Sequence, residues 1–549
     1  MQEIYDFIVI GSGFGGAVSA MRLSQKGYKV AILEEGRSFK NSEYPKSNWN
    51  IKKFLWIPLI KCFGIQKVSL LKKVMILHGA GVGGGSLVYA NTLMLPVPPV
   101  FHNGKWPKGL NWESELSPHY AMAKKMLGVI ENPYLAEGDL AMKRLGERLG
   151  VADTFHPTQV GIFFGEPDKV VPDPYFKGAG PERTGCSYCG SCMIGCPNGA
   201  KNTLDKNYLY FAQKWGAKVF SMHRALKISP LPEGGYEVEA QDSSSIFSKQ
   251  RKIFKARQLV LSAGVLGTLK LLFINKNIYK TLTNISPKLG ENVRTNGESL
   301  LGATSLDRGV DMSKGIAIGA AIHPDYRTKI EGVRYPSGSN LMRLLAIPLT
   351  GDGNWIVRPL KMLANLVIKL PSIIRLYSIW DWAKQTIILL VMQSDESKMK
   401  MRIGKSLFSP GGYVLKGESM AGEMPSYIPI AQKAAQELSQ DIHGVAQNII
   451  SEVLMATPAT AHILGGVPFG DDALEGVIGL NHEVHGHPGL YVMDASVIPS
   501  NLGVNPSFTV TSMAERFCSM IANNPNMGKD FTPPVIEFGS SAVSVEAKI

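Results

Sequence analysis

The hydrophobic pattern is clearest at the start of the chain. Phe7 to Ile10 form a short apolar run, GSGFGG follows, apolar positions then recur at helical spacing to about Lys26, and a second apolar run, Val30 to Leu33, ends at Glu34. That order predicts strand, turn, helix and strand. Apolar strand signals return in AKVFSM, YEVEA and ARQLVLSAG, the last two flanking a polar hairpin, DSSSIFSKQRK. The ARQLVLSAG run is expected to rejoin the first sheet and pass into the helix VLGTLKLLF. LYVMDAS predicts a further core strand, and VNPSFTVTSMAERFCSMIA predicts a helix, with Pro506 suited to its first turn.

Between these core segments the pattern loosens. Residues 97–180 are rich in Pro, Gly and polar side chains, with one helical stretch, Ala136 to Leu149; a second helix is expected near Thr203 to Trp215. In residues 355–392, Leu363, Leu366, Val367, Leu370, Ile374 and Tyr377 recur at helical spacing with Lys361, Lys369 and Arg375 among them, and Pro371 predicts a kink. Residues 51–73 mix apolar side chains with six lysines and no acid. Both basic, apolar stretches suit an anionic membrane surface or a cover over an apolar pocket; a buried loop whose lysines reach water is the plainer alternative. The last fifteen or so residues look like a loose tail.

At 549 residues the chain is too long for one core, and roughly two to four structural domains are expected. The division expected is a nucleotide-binding body from 1–100, 201–300 and 451–525. It is interrupted by an insertion at 101–180, a cysteine-rich loop at 181–200 and a substrate-binding part at 301–450, and it is followed by a tail at 526–549. Hydrophobic residues make up 45% and charged residues 19%, which excludes disorder. The net charge of +13 comes without an Arg-rich or aromatic-interleaved motif, so no nucleic-acid partner is expected. The nucleotide strand starts within ten residues of Met1, and no apolar run approaches the roughly 18 residues of a spanning helix. A cytoplasmic protein, peripheral to a membrane at most, is the expectation.

The chemistry begins at the first turn. Gly11, Gly13 and Gly16 give G-x-G-x-x-G between strand and helix, the pattern that lets a backbone approach a pyrophosphate and lays its charge on a helix N-terminus. Glu34, at the end of the second strand, suits a ribose with a free 2′-hydroxyl, so FAD or NAD fits better than NADP. A second cluster, Gly79, Gly81, Gly83, Gly84 and Gly85, places five glycines in seven residues after a short strand, as a cofactor-contacting loop does.

With GAGVGGGSLV, SAGVLGTLKLL, AHILGG and LYVMDASVIPSNLGVNPSFTVTSMAER in place, the chain resembles the glucose-methanol-choline (GMC) flavoprotein oxidoreductases, and most of all their bacterial cholesterol oxidase-like branch, over residues 4 to about 522. The resemblance implies an α/β fold: a Rossmann-like FAD-binding domain interleaved with an α+β substrate-binding domain. It implies FAD at Gly11, Gly13, Gly16 and Glu34, a flavin-contacting loop with Gly81, Gly83, Gly84, Gly85, Ser86 and Asn91, and further cofactor contacts at Asp494, Pro506 and Thr509. It also implies an active-site pair, His462 and Asn505, with Glu331 a weaker match to a carboxylate at the substrate. The alternatives are a core histidine satisfied by backbone and a surface-loop carboxylate. The activity implied is oxidation of a secondary alcohol on a steroid-like, hydrophobic substrate, with hydride transfer to flavin N5 and an imidazole as base or hydrogen-bond donor.

Four of the six cysteines, Cys186, Cys189, Cys192 and Cys196, stand as C-x2-C-x2-C-x3-C-P, a ferredoxin spacing. One iron–sulfur cluster, [4Fe-4S] or [3Fe-4S], is therefore expected, with structural zinc, paired disulfides and reduced thiols as alternatives. A cluster would make the protein a dehydrogenase handing electrons to an acceptor protein or quinone. A sugar or other alcohol as substrate, or a membrane-associated flavin and iron–sulfur electron carrier, are the competing functions.

Overall fold

The computed structural model describes residues 3–539 apart from 103–104, 245–249, 354–355, 369, 407–411, 421–424, 426 and 529. The centre of the polar hairpin, Lys369, the Leu366 side chain and the end of the tail therefore lie outside the described residues.

Phe7 to Ile10 are almost wholly buried because strand Ile4–Ile10 is central in a seven-stranded sheet. It pairs in parallel with Val30–Leu33 on one side and with Arg251–Leu261 on the other. Lys218–Phe220 extends the first side, and Leu490–Val492 runs parallel to the end of Arg251–Leu261. Tyr236–Asp242 and His223–Pro230 complete the other side as antiparallel strands. The expected strands thus meet in one sheet, although their sequences lie hundreds of residues apart. Helix Phe14–Gln25 follows the first strand, and a Cβ at Gly16 would stand 2.1 Å from the carbonyl oxygen of Gly11, so only glycine lets the helix pack there.

A second sheet of seven strands is antiparallel throughout, in the order Ala346–Pro348, Gly444–Ile449, Ser299–Ser305, Thr386–Gln393, Thr328–Val333, Ile318–Asp325, His156–Pro157. Its period-two pattern sorts its faces. Leu301, Ala303, Ile387, Leu389 and Val391 join the core under helices Glu137–Leu149 and Pro429–Asp441, while Leu300, Ile388 and Leu390 line a large cavity beside the first sheet.

Three expectations change here. Residues 97–180 hold a second helix, Trp112–Leu127, with Asn111 accepting from the Ser114 amide at its start and Gly128 left-handed at its end. In residues 355–392 helix is described over Val357–Ile368 and over Leu370–Ser378, on either side of Lys369, but it does not run on, because TIILLVM belongs to the strand Thr386–Gln393. The described end of the tail is docked, with the Gly539 amide donating to Tyr175 O at 2.7 Å and the Phe538 ring 6.0 Å from Phe176.

Candidate active site

The two sheets border one cavity of about 1560 Å³, well beyond the roughly 300–1,000 Å³ of a single-ligand pocket. One arm runs along the first glycine turn, Gly11 to Gly15, past Glu34, Gly84 and Gly85 to Asp494; the other runs over the second sheet, between Leu300, Ile318, Val333, Ile388 and Leu390.

The first arm fits a dinucleotide. A Cβ added at Gly13 or Gly264 would meet no atom within 4 Å, leaving backbone open to a ligand. Helices Phe14–Gln25 and Ser507–Ser519 both begin at the cavity wall, and neither has a side-chain cap or an acid in its first turn. Their N-terminal amides and positive dipole ends are thus available to anionic groups. Glu34 is buried, which pushes its carboxyl up, and it is held by the Ser12 amide and hydroxyl at 3.1 and 2.7 Å and by the Gly36 amide at 2.8 Å. Asp494 is likewise raised by burial and accepts from the Ser496 amide and the Thr268 hydroxyl.

The second glycine loop closes on the first. Gly84 has φ +51°, and a Cβ there would stand 2.6 Å from Gly13 Cα; the Ser12 hydroxyl accepts from the Gly83 amide at 3.0 Å. Gly16, Gly81, Gly83 and Ser86 are not in the cavity wall. They shape its loops, with Ser86 donating to Gly83 O and accepting from the Leu204 amide. Thr509 also lies behind the wall, its hydroxyl taking a hydrogen bond from Tyr120 at 2.8 Å.

His462 and Asn505 are brought together on the cavity wall. The His462 Nδ1 is engaged by the buried carboxylate of Glu298, which also accepts from the Ala461 amide at 2.9 Å. Burial opposes a charged ring, but the Glu298 charge and hydrogen bond outweigh it and raise the His462 pKa, with Glu331 adding to the effect. Asn505 is placed by its loop: Asn296 accepts from the Leu502 and Gly503 amides and donates to Val504 O. Its own Nδ2 donates to Glu331 Oε2 at 3.1 Å, and its Oδ1 is buried without a protein partner among the described residues. Glu331 is neither a surface-loop carboxylate nor part of the cavity wall; it is fully buried on the second sheet behind Asn505. Glu298 and Asn296 had no signal in the spacing of the chain, because NVRTNGES reads as an ordinary polar loop.

The cysteines tell a different story. Cys186, Cys189, Cys192 and Cys196 are unpaired and line one small cavity together with Asn91 and Lys201. That cavity measures about 20 Å³, room for about one water. Among the described residues no three His, Cys, Asp or Glu side chains are disposed to hold a metal ion. Burial pushes the Cys192 thiol up to about 11. The residues present do not fit an iron–sulfur cluster. The loop is held to the glycine loop instead by Lys201, whose buried ammonium donates to Leu87 O, Tyr89 O and Cys192 O at 3.1, 2.7 and 2.7 Å. Asn91 faces this cavity and not the large one.

Residues 177–292 and 415–514 match the GMC oxidoreductase family, and residues 9–39 match an NAD(P)-binding Rossmann-like domain. The chain is 42% identical over 527 residues to a cholesterol oxidase of Acinetobacter baumannii, covering 94% of both chains. It is 43% identical over 546 residues to a cholesterol oxidase of Mycobacterium tuberculosis, covering 97% of this chain and 93% of that one.

The chain belongs to the GMC oxidoreductase family.

It is an FAD-dependent alcohol oxidoreductase, and the first arm of the cavity is where a GMC enzyme's cofactor fits. Among solved structures, pyridoxine 4-oxidase from Mesorbium loti shares the fold with a TM-score of 0.61 at 14% identity, covering 94% of this chain and 98% of that one.

The two glycine loops of this GMC enzyme give a direct contrast. Gly84→Val should leave purified protein with a small fraction of its FAD, because the side chain would enter Gly13; Gly85→Ala, whose nearest neighbour would be the Phe14 ring at 3.7 Å, should keep it. Flavin absorbance per protein checks this, and equal flavin in both variants would contradict the packing described.

Proposed function

We propose that the enzyme oxidises a secondary alcohol on a sterol-like substrate. The observation that carries this reading is that His462 and Asn505 line the same cavity as the apolar side chains of Ile318, Val333, Ile388 and Leu390. The relatives named as cholesterol oxidases support the same substrate class. FAD, when bound, supplies the hydride acceptor. The chain supplies the rest. With Nδ1 held by Glu298, Nε2 of His462 remains to take the hydroxyl proton, and the carboxylate steadies the imidazolium that results. Asn505 holds the substrate oxygen, and the first turn of Ser507–Ser519 favours negative charge beside it. A sugar substrate is disfavoured, since the arm offers few polar partners to its hydroxyls.

For the electrons, the names of the relatives favour dioxygen as acceptor. The acceptor protein or quinone expected from the cysteine run would need a route that the cavity of about 20 Å³ does not provide.

Ile57, Pro58 and Leu59 also line the cavity, Leu59 is 73% exposed, and Lys52, Lys53 and Lys61 of the same segment are exposed. Helices Val357–Ile368 and Leu370–Ser378 add Leu360, Leu363, Val367 and Ile374, and Trp380 beyond them is 95% exposed. Among the described residues no helix is long and apolar enough to cross a membrane. This apolar, basic surface suits reversible contact with anionic bilayers, from which a lipid-like alcohol would enter.

Three outcomes are expected. Cholesterol should be turned over with kcat/KM at least about 100-fold above that for glucose, with peroxide formed in step with it; a preference for glucose would overturn the substrate class, and iron in the purified protein with little peroxide would restore the cluster. The base must be neutral, so kcat/KM should rise with pH through the raised pKa of His462. Glu298→Gln removes the charge that raises it, so the acid limb should move to lower pH while the plateau falls about 10²-fold or more; an unmoved limb would remove His462 from the proton transfer. Binding to phosphatidylserine vesicles should exceed binding to phosphatidylcholine vesicles and weaken with salt, and equal, salt-independent binding would reject the membrane surface.

A further inference from the structure

Lys329 lies two residues before Glu331 in strand Thr328–Val333, so both side chains leave the same face of the sheet. Lys329 is 1% exposed and its Nζ makes no hydrogen bond among the described residues. It stands 3.6 Å from Glu331 Oε1, which also lacks a hydrogen-bond partner. His462 feels Glu331 from across the site, but it is neutral as the base, and the strands on either side leave the Lys329 ammonium as the charge that answers Glu331. On one side Leu390 and Met392 are opposite Glu331 and Lys329. On the other, Ala321 is opposite Glu331 and His156 is opposite Ala321, with His323 next along the same face. The rings of His156 and His323 stack at 5.3 Å, and both are held below the ordinary imidazole pKa by burial, with Lys329 contributing in each. Asp325 is turned to the Thr328 amide and hydroxyl and to the Arg327 amide. Glu131 is a more distant influence on His156.

A fully buried carboxylate without a cation takes up a proton. That would matter here because the bond to Glu331 is what fixes the Asn505 amide, whose Oδ1 has no protein partner. An ionised carboxylate only accepts, so it must face the amide nitrogen; that nitrogen's second N–H is then left for a substrate oxygen. A protonated Glu331 can donate to the amide oxygen as well as accept from the nitrogen, so it no longer fixes which way the amide faces. We infer that Lys329 is a positioning residue for the alcohol oxidation: its ammonium keeps Glu331 ionised, Glu331 holds the Asn505 nitrogen, and Asn505 donates to the substrate oxygen. This rests on the reading of His462 and Asn505 given above.

The test uses the FAD-loaded enzyme with Lys329→Met, cholesterol as substrate, and flavin content as the check on folding. At about pH 7 kcat should fall about tenfold or more with KM changed by less than about twofold. It should recover at higher pH as Glu331 ionises, a second rising limb that the parent enzyme lacks. In the Glu331→Gln background, Lys329→Met should cost nothing further in kcat. A substrate-free readout separates this inference from the proposed function. In Lys329→Met a buried carboxyl is left without its cation, and ionising it in place costs free energy that ionising it in the unfolded chain does not, so stability is lost as pH rises. The deficit in melting temperature should therefore widen with pH. If Lys329→Met does not fold, the double variant, lacking both buried charges, should restore folded protein. A pH-independent loss of kcat, a constant melting deficit, a further loss in the Glu331→Gln background, or a double variant that also fails to fold would each overturn the inference. If the parent enzyme does not oxidise cholesterol, the proposed function falls while the melting series still decides whether Lys329 keeps Glu331 ionised.

Discussion

The buried carboxylate of Glu34 is the tie on which the cofactor end of the molecule depends. A carboxylate removed from water costs several kcal/mol unless it is given hydrogen bonds, and bonds to a charged group return about 1.5–3 kcal/mol each. Glu34 takes them from the Ser12 amide and hydroxyl and from the Gly36 amide, with the Gly81 amide farther off at 3.4 Å. Those donors belong to the first glycine turn, the end of the second strand and the second glycine loop. One side chain therefore fixes the three backbone segments that must come within reach of a dinucleotide. Lys201 extends the tie, since its bonds to Leu87 O and Tyr89 O carry the cysteine loop onto the same glycine loop.

The reaction end is organised by a second set of buried polar groups, where the sheets meet. The segment holding Arg294 exchanges backbone hydrogen bonds with Leu464, which brings Glu298 under His462. Asn296 in the same segment braces the loop that carries Asn505. His462 and Asn505, the proton acceptor and amide donor proposed, are thus both set by one short stretch, residues 294–298, and a shift of that stretch would move both. The second sheet supplies Glu331 and the apolar wall from one and the same face, since Glu331 lies two residues before Val333 and opposite Leu390.

Much of this was legible in the chain because it is local. G-x-G-x-x-G followed by helical periodicity and Glu34 contains its own strand, turn and helix, and Pro506 marks its helix without reference to anything distant. Core strands hundreds of residues apart were legible as short apolar runs, though not their order in the sheet. Pairings between distant polar residues were not. Glu298 with His462, and Lys329 with Glu331, exist only once the sheets are assembled, and nothing in KIEG distinguishes a buried ion pair from a solvated turn. The cysteine run shows the opposite failure: its spacing matches a cluster motif, yet the loop packs its thiols around a space too small for one, with the Lys201 ammonium bonding to backbone carbonyls beside them. TIILLVM misled for an ordinary reason, being an apolar run too short to reveal its period.

The central claim is that a carbon-bound hydrogen of a sterol alcohol leaves as hydride at the site bounded by His462 and Asn505. The most direct measurement is the rate of anaerobic flavin bleaching on mixing the enzyme with cholesterol bearing deuterium at the alcohol carbon, compared with ordinary cholesterol. Full bleaching by both is expected, severalfold slower with deuterium. No bleaching by either form would contradict it.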